Sequence, residues 1–198
     1  MTNMTDAEFF NKLAPTWDST RERQPQLLQL LTAKLELKPR DRVLDLGSGT
    51  GVLLPYLAPQ AAHVTAVDFA EAMLALAARN YAKLTNITYL HGDILELALP
   101  AASFEQITCL NFYPHVKDSA VFLSKAASLL VPGGKLTIMH DIPRSAVNAI
   151  HGACAQVQDD NLPPAAVVAQ RLTDVGLQVL YQEDTKNYYF VQGVKPLL

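Results

Sequence analysis

The chain has 198 residues, 49% of them hydrophobic and 18% charged, with a formal net charge of -3. This balance excludes a disordered or fibrous chain, and 198 residues suit one domain or slightly more. Sixteen Lys and Arg against nineteen Asp and Glu, with no basic run, argue against docking on nucleic acid or anionic lipid. Two cysteines, Cys109 and Cys154, imply no disulfide framework. No apolar stretch approaches the ~20 residues of a membrane span. Met1–Asp6 lacks the basic and apolar blocks of a signal peptide. The expectation is a soluble cytoplasmic protein, monomer or homodimer.

Residues 1–40 read as an N-terminal lid or cap segment, helical over 5–40, and 41–198 as the main domain. The leucines from Leu27 to Leu37 have helix spacing, and Pro39 closes them. The preceding Phe9–Asp18 stretch is aromatic but too short for a core of its own. From residue 42 the pattern alternates. Strands are expected at 42–46, 63–67, 86–90, 104–110 and 135–139. Helices are expected at 52–58, 70–82, 118–130 and 165–174, and a short one opened by Pro143. Val131-Pro132-Gly133-Gly134 reads as a turn. Two last strands, 177–181 and 188–194, are spaced for an antiparallel hairpin. Apolar strands alternating with helices predict an α/β, doubly wound, mostly parallel seven-stranded sheet with an antiparallel C-terminal hairpin strand and a helical N-terminal lid. Such sheets bind ligands at the carboxyl ends of their strands, where strand order reverses.

The residues after each strand therefore carry the functional reading. Asp45-Leu46-Gly47-Ser48-Gly49-Thr50-Gly51 follows the first strand, and its three alternate glycines allow a sharp turn and close approach to a ligand. A dinucleotide loop would need glycine at 52, where this chain has Val, and Asp45 would repel a pyrophosphate. A carboxylate there attracts a cationic group such as an amino-acid ammonium. Asp68, after the second strand, can accept from both hydroxyls of a ribose, and Phe69 can cover a flat base. Asp93, after the third, can accept from an exocyclic amine, and the Ile94 N–H can serve a ring nitrogen. The plain alternatives are a strand-to-helix turn, a capping acid and a solvated loop acid. Asn111-Phe112-Tyr113-Pro114-His115, after the fourth strand, would lie beside the reactive end. Together these describe a site for a nucleoside carrying an amino acid.

Val43–Gly51 resembles the first motif of the Rossmann-like (class I) S-adenosylmethionine-dependent methyltransferases. Val64–Phe69 resembles their second motif, His91-Gly92-Asp93 their third, Phe104–Val116 their fourth, and Leu129–Leu136 the turn before their fifth strand. The resemblance runs from about residue 40 to the C-terminus. It implies S-adenosyl-L-methionine as cofactor and S-adenosyl-L-homocysteine as product. Asp45 and Gly47 would serve the methionine end, with Ser48, Gly49 and Gly51 in the same loop. Asp68 would hold the ribose, Asp93 the adenine amine, and Asn111 would contribute its backbone carbonyl. Ala70 departs from the pattern, since relatives often have a helix-capping Ser there. Phe9–Asp18 resembles the lid of small-molecule methyltransferases, including those of quinone biosynthesis, with Trp17 part of it.

Methyl transfer from a sulfonium needs alignment in a dry site, and a base only if the acceptor must first lose a proton. Three of the five histidines fall on the ligand side: His115, His140 and His151. They read as a general base, as a metal site with Asp141 for Zn, Fe, Ni or Cu, or as hydrogen-bonded loop residues. Cys154 near His151 reads as a soft ligand or as neither. The function expected is methylation of a small-molecule acceptor. A non-catalytic sensor that binds the same cofactor and a nicotinamide-dependent oxidoreductase are the competing readings.

Overall fold

The computed structural model describes residues 4–21 and 24–197. They form seven strands in one sheet, ordered β3-β2-β1-β4-β5-β7-β6. The strands are β1 (Arg42–Leu46), β2 (His63–Asp68), β3 (Ile87–His91), β4 (Phe104–Leu110), β5 (Leu130–His140), β6 (Gln178–Asp184) and β7 (Tyr189–Val194). β1 to β5 pair in parallel, and β7 runs antiparallel to both β5 and β6. Order reverses between β1 and β4, so a crevice opens above their carboxyl ends.

The helices are α1 (Asp6–Leu13), α2 (Pro25–Ala33), α3 (Leu54–Leu57), α4 (Glu71–Asn80), α5 (Ser119–Leu129), α6 (Arg144–Gly152) and α7 (Ala165–Asp174). Thr5 and Glu8 close a capping box at the start of α1: the Glu8 N–H donates to Thr5 Oγ1 at 3.3 Å, and the Thr5 N–H to Glu8 Oε2 at 2.8 Å. Asp118 caps α5 by accepting from the N–H groups of Ala120 and Val121. Pro25 opens α2 at its first turn, where its missing N–H costs nothing. Among the described residues no helix is long and apolar enough to cross a membrane.

The expected fold class holds, including the hairpin and the N-terminal helices. Within 5–40 the chain divides. Leu28, Leu31 and Leu35 enter the main core with Val43 and Phe190, whereas α1 and the turn after it join a separate small cluster of Ala14, Ala70 and Met73. The turn expected at 131–134 lies within β5: Leu130 pairs with Phe104, and the register then shifts before Lys135 pairs with Gln106. Gly133 supplies the bend with φ +78°.

Candidate functional site

A cavity of about 400 Å³ opens at the carboxyl edge of the sheet, within the range of small-molecule sites. It is lined by Gly47 after β1, Asp68 and Phe69 after β2, Asp93 and Ile94 after β3, and Phe112 and His115 after β4. Asp6 and Ala7 of α1 form its outer wall. The structure thus brings six of the residues expected from sequence into one cavity, from four different strand ends.

Asp68 is held by its own neighbourhood. Gly49 N–H donates to Oδ2 at 2.8 Å and Ala70 N–H to Oδ1 at 2.8 Å. Burial raises its carboxyl above the usual range, and these two bonds oppose the shift. Each oxygen keeps a lone pair for a further donor. Asp93 is exposed, and its Oδ1 accepts from Leu95 N–H at 2.9 Å.

Asp45, expected to serve the methionine end, is buried and does not line the cavity. Its oxygens accept from Ser48 Oγ at 2.6 Å and Thr108 Oγ1 at 2.8 Å, both buried. Burial pushes its carboxyl up to about 6, with the two hydroxyls opposing and the Asp68 charge adding to the rise. Ser48 therefore fastens the loop to Asp45. Gly47 has φ +65°, and a Cβ there would stand 2.3 Å from the Phe112 ring. Gly49 has φ +55° with open space around it. Gly51 packs instead on Leu54 and Tyr81.

Asn111 follows β4 in the left-handed region, with φ +53°. Its Nδ2 donates to Asp141 Oδ1 at 2.8 Å, and its Oδ1 is buried without a protein partner. Trp17 does not line the cavity wall; the Arg21 guanidinium stacks 3.3 Å above its ring centroid. The Asp141 and Asp18 charges support that cation against its desolvation. Thr50 Oγ1 donates to Asp18 Oδ1 at 2.7 Å, tying the glycine loop to the N-terminal segment.

The three histidines part company. His115 Nδ1 faces Asp160 Oδ2 at 2.8 Å, and Lys117 Nζ holds the other oxygen at 2.9 Å. Burial opposes ionisation of Asp160, but the bonds from Lys117 and His115 leave its carboxyl below the usual range. Burial lowers the His115 imidazole below its ordinary value; the Asp160 bond opposes this and the His151 charge adds to it. Its Nδ1 carries the proton shared with Asp160, which leaves the Nε2 lone pair as the acceptor. His151 Nδ1 is bonded to the Asp160 carbonyl, and its ring lies 5.0 Å from that of His115. His140 is 1% exposed and packs edge-on to Tyr189. Burial lowers its pKa to about 3, helped by the His115 and His151 charges, far from the near-neutral value a base needs.

The metal set of His115, His140, Asp141 and His151 is not assembled. Among the described residues no three His, Cys, Asp or Glu side chains are grouped to hold a metal ion. The reason is competition: two of the imidazoles are engaged by Asp160, Asp141 is bonded to Asn111, and His140 is sealed in the core.

Sequence reasoning missed Asp160, Thr108, Lys117, Asn11 and Arg21. Nothing local marks Asp160, which meets His115 across 45 residues. Thr108 carried a signal, because a hydroxyl one strand over is the natural partner of an acid buried in a strand.

A methyltransferase-domain family model matches residues 43–134, which contain all four strand-end motifs. The chain is 38% identical over 114 residues to the ubiquinone biosynthesis O-methyltransferase of Coxiella burnetii, covering 57% of this chain and 48% of that protein. It thus spans about half the length of that relative. It is 31% identical over 162 residues to the corresponding enzyme of Hahella chejuensis, covering 76% of this chain and 68% of that protein. A SAM-dependent methyltransferase structure from Aquifex aeolicus superposes with a TM-score of 0.70 over 96% of this chain and 98% of that one, at 22% identity, which shows a shared fold. With Gly47, Asp68 and Asp93 on one cavity, these likenesses place the chain in the class I S-adenosylmethionine-dependent methyltransferase family.

Proposed function

We propose that the chain transfers a methyl group from S-adenosylmethionine to a hydroxyl or thiol of a small-molecule acceptor. The observation that carries this is the single cavity joining Gly47, Asp68, Asp93 and His115. The residues suit the cofactor: Gly47 leaves no room for a Cβ on the loop, and Asp68 and Asp93 each keep acceptor capacity facing the cavity. Asp68 would take the ribose hydroxyls and Asp93 the adenine amine, with the Ile94 N–H on a ring nitrogen and Phe69 on the base. Ser48, Gly49 and Gly51 shape the loop, Asp45 supplies negative charge beneath the methionine end, and the Asn111 carbonyl takes part of the ammonium. Bound there, S-adenosylmethionine supplies an electrophilic methyl on a sulfonium whose leaving group is neutral.

His115 accepts the acceptor's O–H or S–H proton at Nε2, while Asp160 holds the ring in the tautomer that permits it. His151, whose ring stacks beside His115, positions the same edge of the site. α1, the turn after it and Trp17 serve as the lid that excludes water. An oxygen acceptor is favoured by the O-methyltransferase names of the similar proteins. Calorimetry with S-adenosylhomocysteine, then turnover on quinols, phenols, thiols and amines, tests the reading. Micromolar binding and methylation of hydroxyl or thiol compounds are expected. No binding by folded protein overturns it. Binding with no turnover on any of the panel makes the chain a cofactor-binding sensor instead.

A further inference from the structure

Ala70 sits at the N-cap of α4 with extended backbone, φ -96° and ψ 101°, and no side-chain oxygen to offer the first free N–H groups. The helix is nevertheless capped. Asn11 of α1 places its Oδ1 2.9 Å from the Ala72 N–H, at the second position of α4, across 61 residues of sequence. The acceptor that Ala70 lacks comes from the lid.

The position of this bond matters. Ala70 N–H is one of the two backbone donors that orient Asp68, and Phe69 stands between them. The first turn of α4 is therefore continuous with the ribose and base contacts. α1 has no fully buried side chain. It rests on the small cluster of Ala14, Ala70 and Met73 with Phe10, Leu13, Trp17 and Phe69 around it, separate from the main core. Its other fastenings also land around the cavity: Asp6 meets Lys117 at 3.3 Å and Gln156 Nε2 at 2.9 Å, and Phe10 packs edge-on to Phe69 and His115. A segment with so little buried surface depends on its individual hydrogen bonds and ring contacts to stay seated.

We propose that Asn11 is a positioning residue that couples lid docking to cofactor affinity: its bond to the Ala72 N–H holds α1 seated on α4, and so keeps Asp6 and Ala7 in place as the outer wall of the cavity. This rests on the reading of the cavity as an S-adenosylmethionine site. Asn11 does not line the cavity and acts by holding α1. Losing the cap oxygen shifts the docked population by roughly fivefold, the ordinary size of a cap.

Three variants test it: Asn11→Ala, Asn11→Asp, and Asn11→Ala combined with Ala70→Ser, which returns a cap within the helix itself. The readouts are calorimetric affinity for S-adenosylhomocysteine, melting temperature, tryptic cleavage after Lys12 and hydrogen exchange at the Ala72 amide. Asn11→Ala is expected to weaken affinity roughly three- to tenfold and to speed cleavage after Lys12. Asn11→Asp keeps an acceptor at a helix N-terminus and should retain near wild-type affinity. In the double variant the introduced serine is expected to restore melting temperature and Ala72 protection, while affinity stays weak and Lys12 stays open to trypsin. Wild-type affinity in Asn11→Ala overturns the proposal. So does recovery of affinity in the double variant, because the bond is then a local helix cap alone. If wild type itself binds no S-adenosylhomocysteine, the cavity reading fails, and equal cleavage after Lys12 in wild type and Asn11→Ala separately shows that Asn11 does not hold the lid.

Discussion

The carboxyl edge of the sheet has two halves built from different chemistry. On the β1–β2–β3 side the polar groups are carboxylates and bare backbone, fixed by strand-end loops and a neighbouring strand: Gly49 and Ala70 hold Asp68, and Ser48 and Thr108 hold Asp45. On the β4–β5–β7 side the groups are imidazoles, and their order depends on Asp160, contributed by the segment after α6. The first half is fixed by groups on neighbouring strand ends, whereas the second depends on a residue 45 positions away from the ring it holds. In the proposed reading the first half takes the methyl donor and the second the acceptor.

The largest effect expected is on the first half. Asp68→Ala removes the ribose acceptor and also leaves the Gly49 and Ala70 N–H groups without it. Charge-assisted hydrogen bonds contribute roughly 1.5–3 kcal/mol each, so S-adenosylhomocysteine affinity should fall by about a hundredfold or more. Calorimetry at neutral pH measures this. A loss under tenfold would mean that the two halves do not divide the work as described.

The second half should fail differently. His115→Gln is expected to lower kcat by about two orders of magnitude on a hydroxyl acceptor, with S-adenosylhomocysteine affinity unchanged within roughly twofold. Asp160→Asn should lower kcat less and shift the pH profile, because the ring loses its charged partner but keeps a hydrogen bond. Steady-state kinetics over pH 6–9 separates the two. Equal losses in affinity and rate would place His115 in the donor site instead.

How much of this was legible follows the same division. Rules about strand ends are local, and they found Gly47, Asp68, Phe69, Asp93, Ile94 and His115 and the fold that gathers them. For Asp45 the spacing gave the strand position but not its enclosure by Ser48 and Thr108, the second of which lies 63 residues away. The metal reading failed because imidazoles expected on the same side of a sheet look like ligands until their partners are known. Ala70 looked like a missing cap because its replacement, Asn11, reaches the Ala72 N–H across 61 residues.

A smaller effect comes from Asp45. Its carboxyl ionises at about 6, so the empty protein loses stability from this group as pH rises from about 4 to about 6, where the folded state must release a proton the unfolded chain has already lost. A ligand ammonium favours the ionised form. Affinity for S-adenosylhomocysteine should therefore weaken as pH falls below about 6, by up to roughly tenfold per pH unit. Asp45→Asn should bind more weakly at neutral pH and lose this dependence. A wild-type profile flat from pH 7 to 5 would separate Asp45 from the ligand.

The smallest effect sharpens the boundary of the second half. His140 is held neutral with a pKa near 3 instead of 6.5. The unfolded chain takes up that proton first, so the contribution of neutral His140 is complete above about pH 6.5 and is lost progressively as pH falls toward 3. Its Nε2 and the Tyr189 hydroxyl are both buried without protein partners, so the ring gives up hydrogen bonding for packing. His140→Phe keeps an aromatic ring against Tyr189 and removes the titration. The acid-unfolding midpoint followed by circular dichroism should move to lower pH, with kcat and cofactor affinity at pH 7.5 near wild type. A fall in kcat at pH 7.5 with an unmoved midpoint would instead put His140 beside the acceptor, and the imidazole half would then contain two functional rings on different strands.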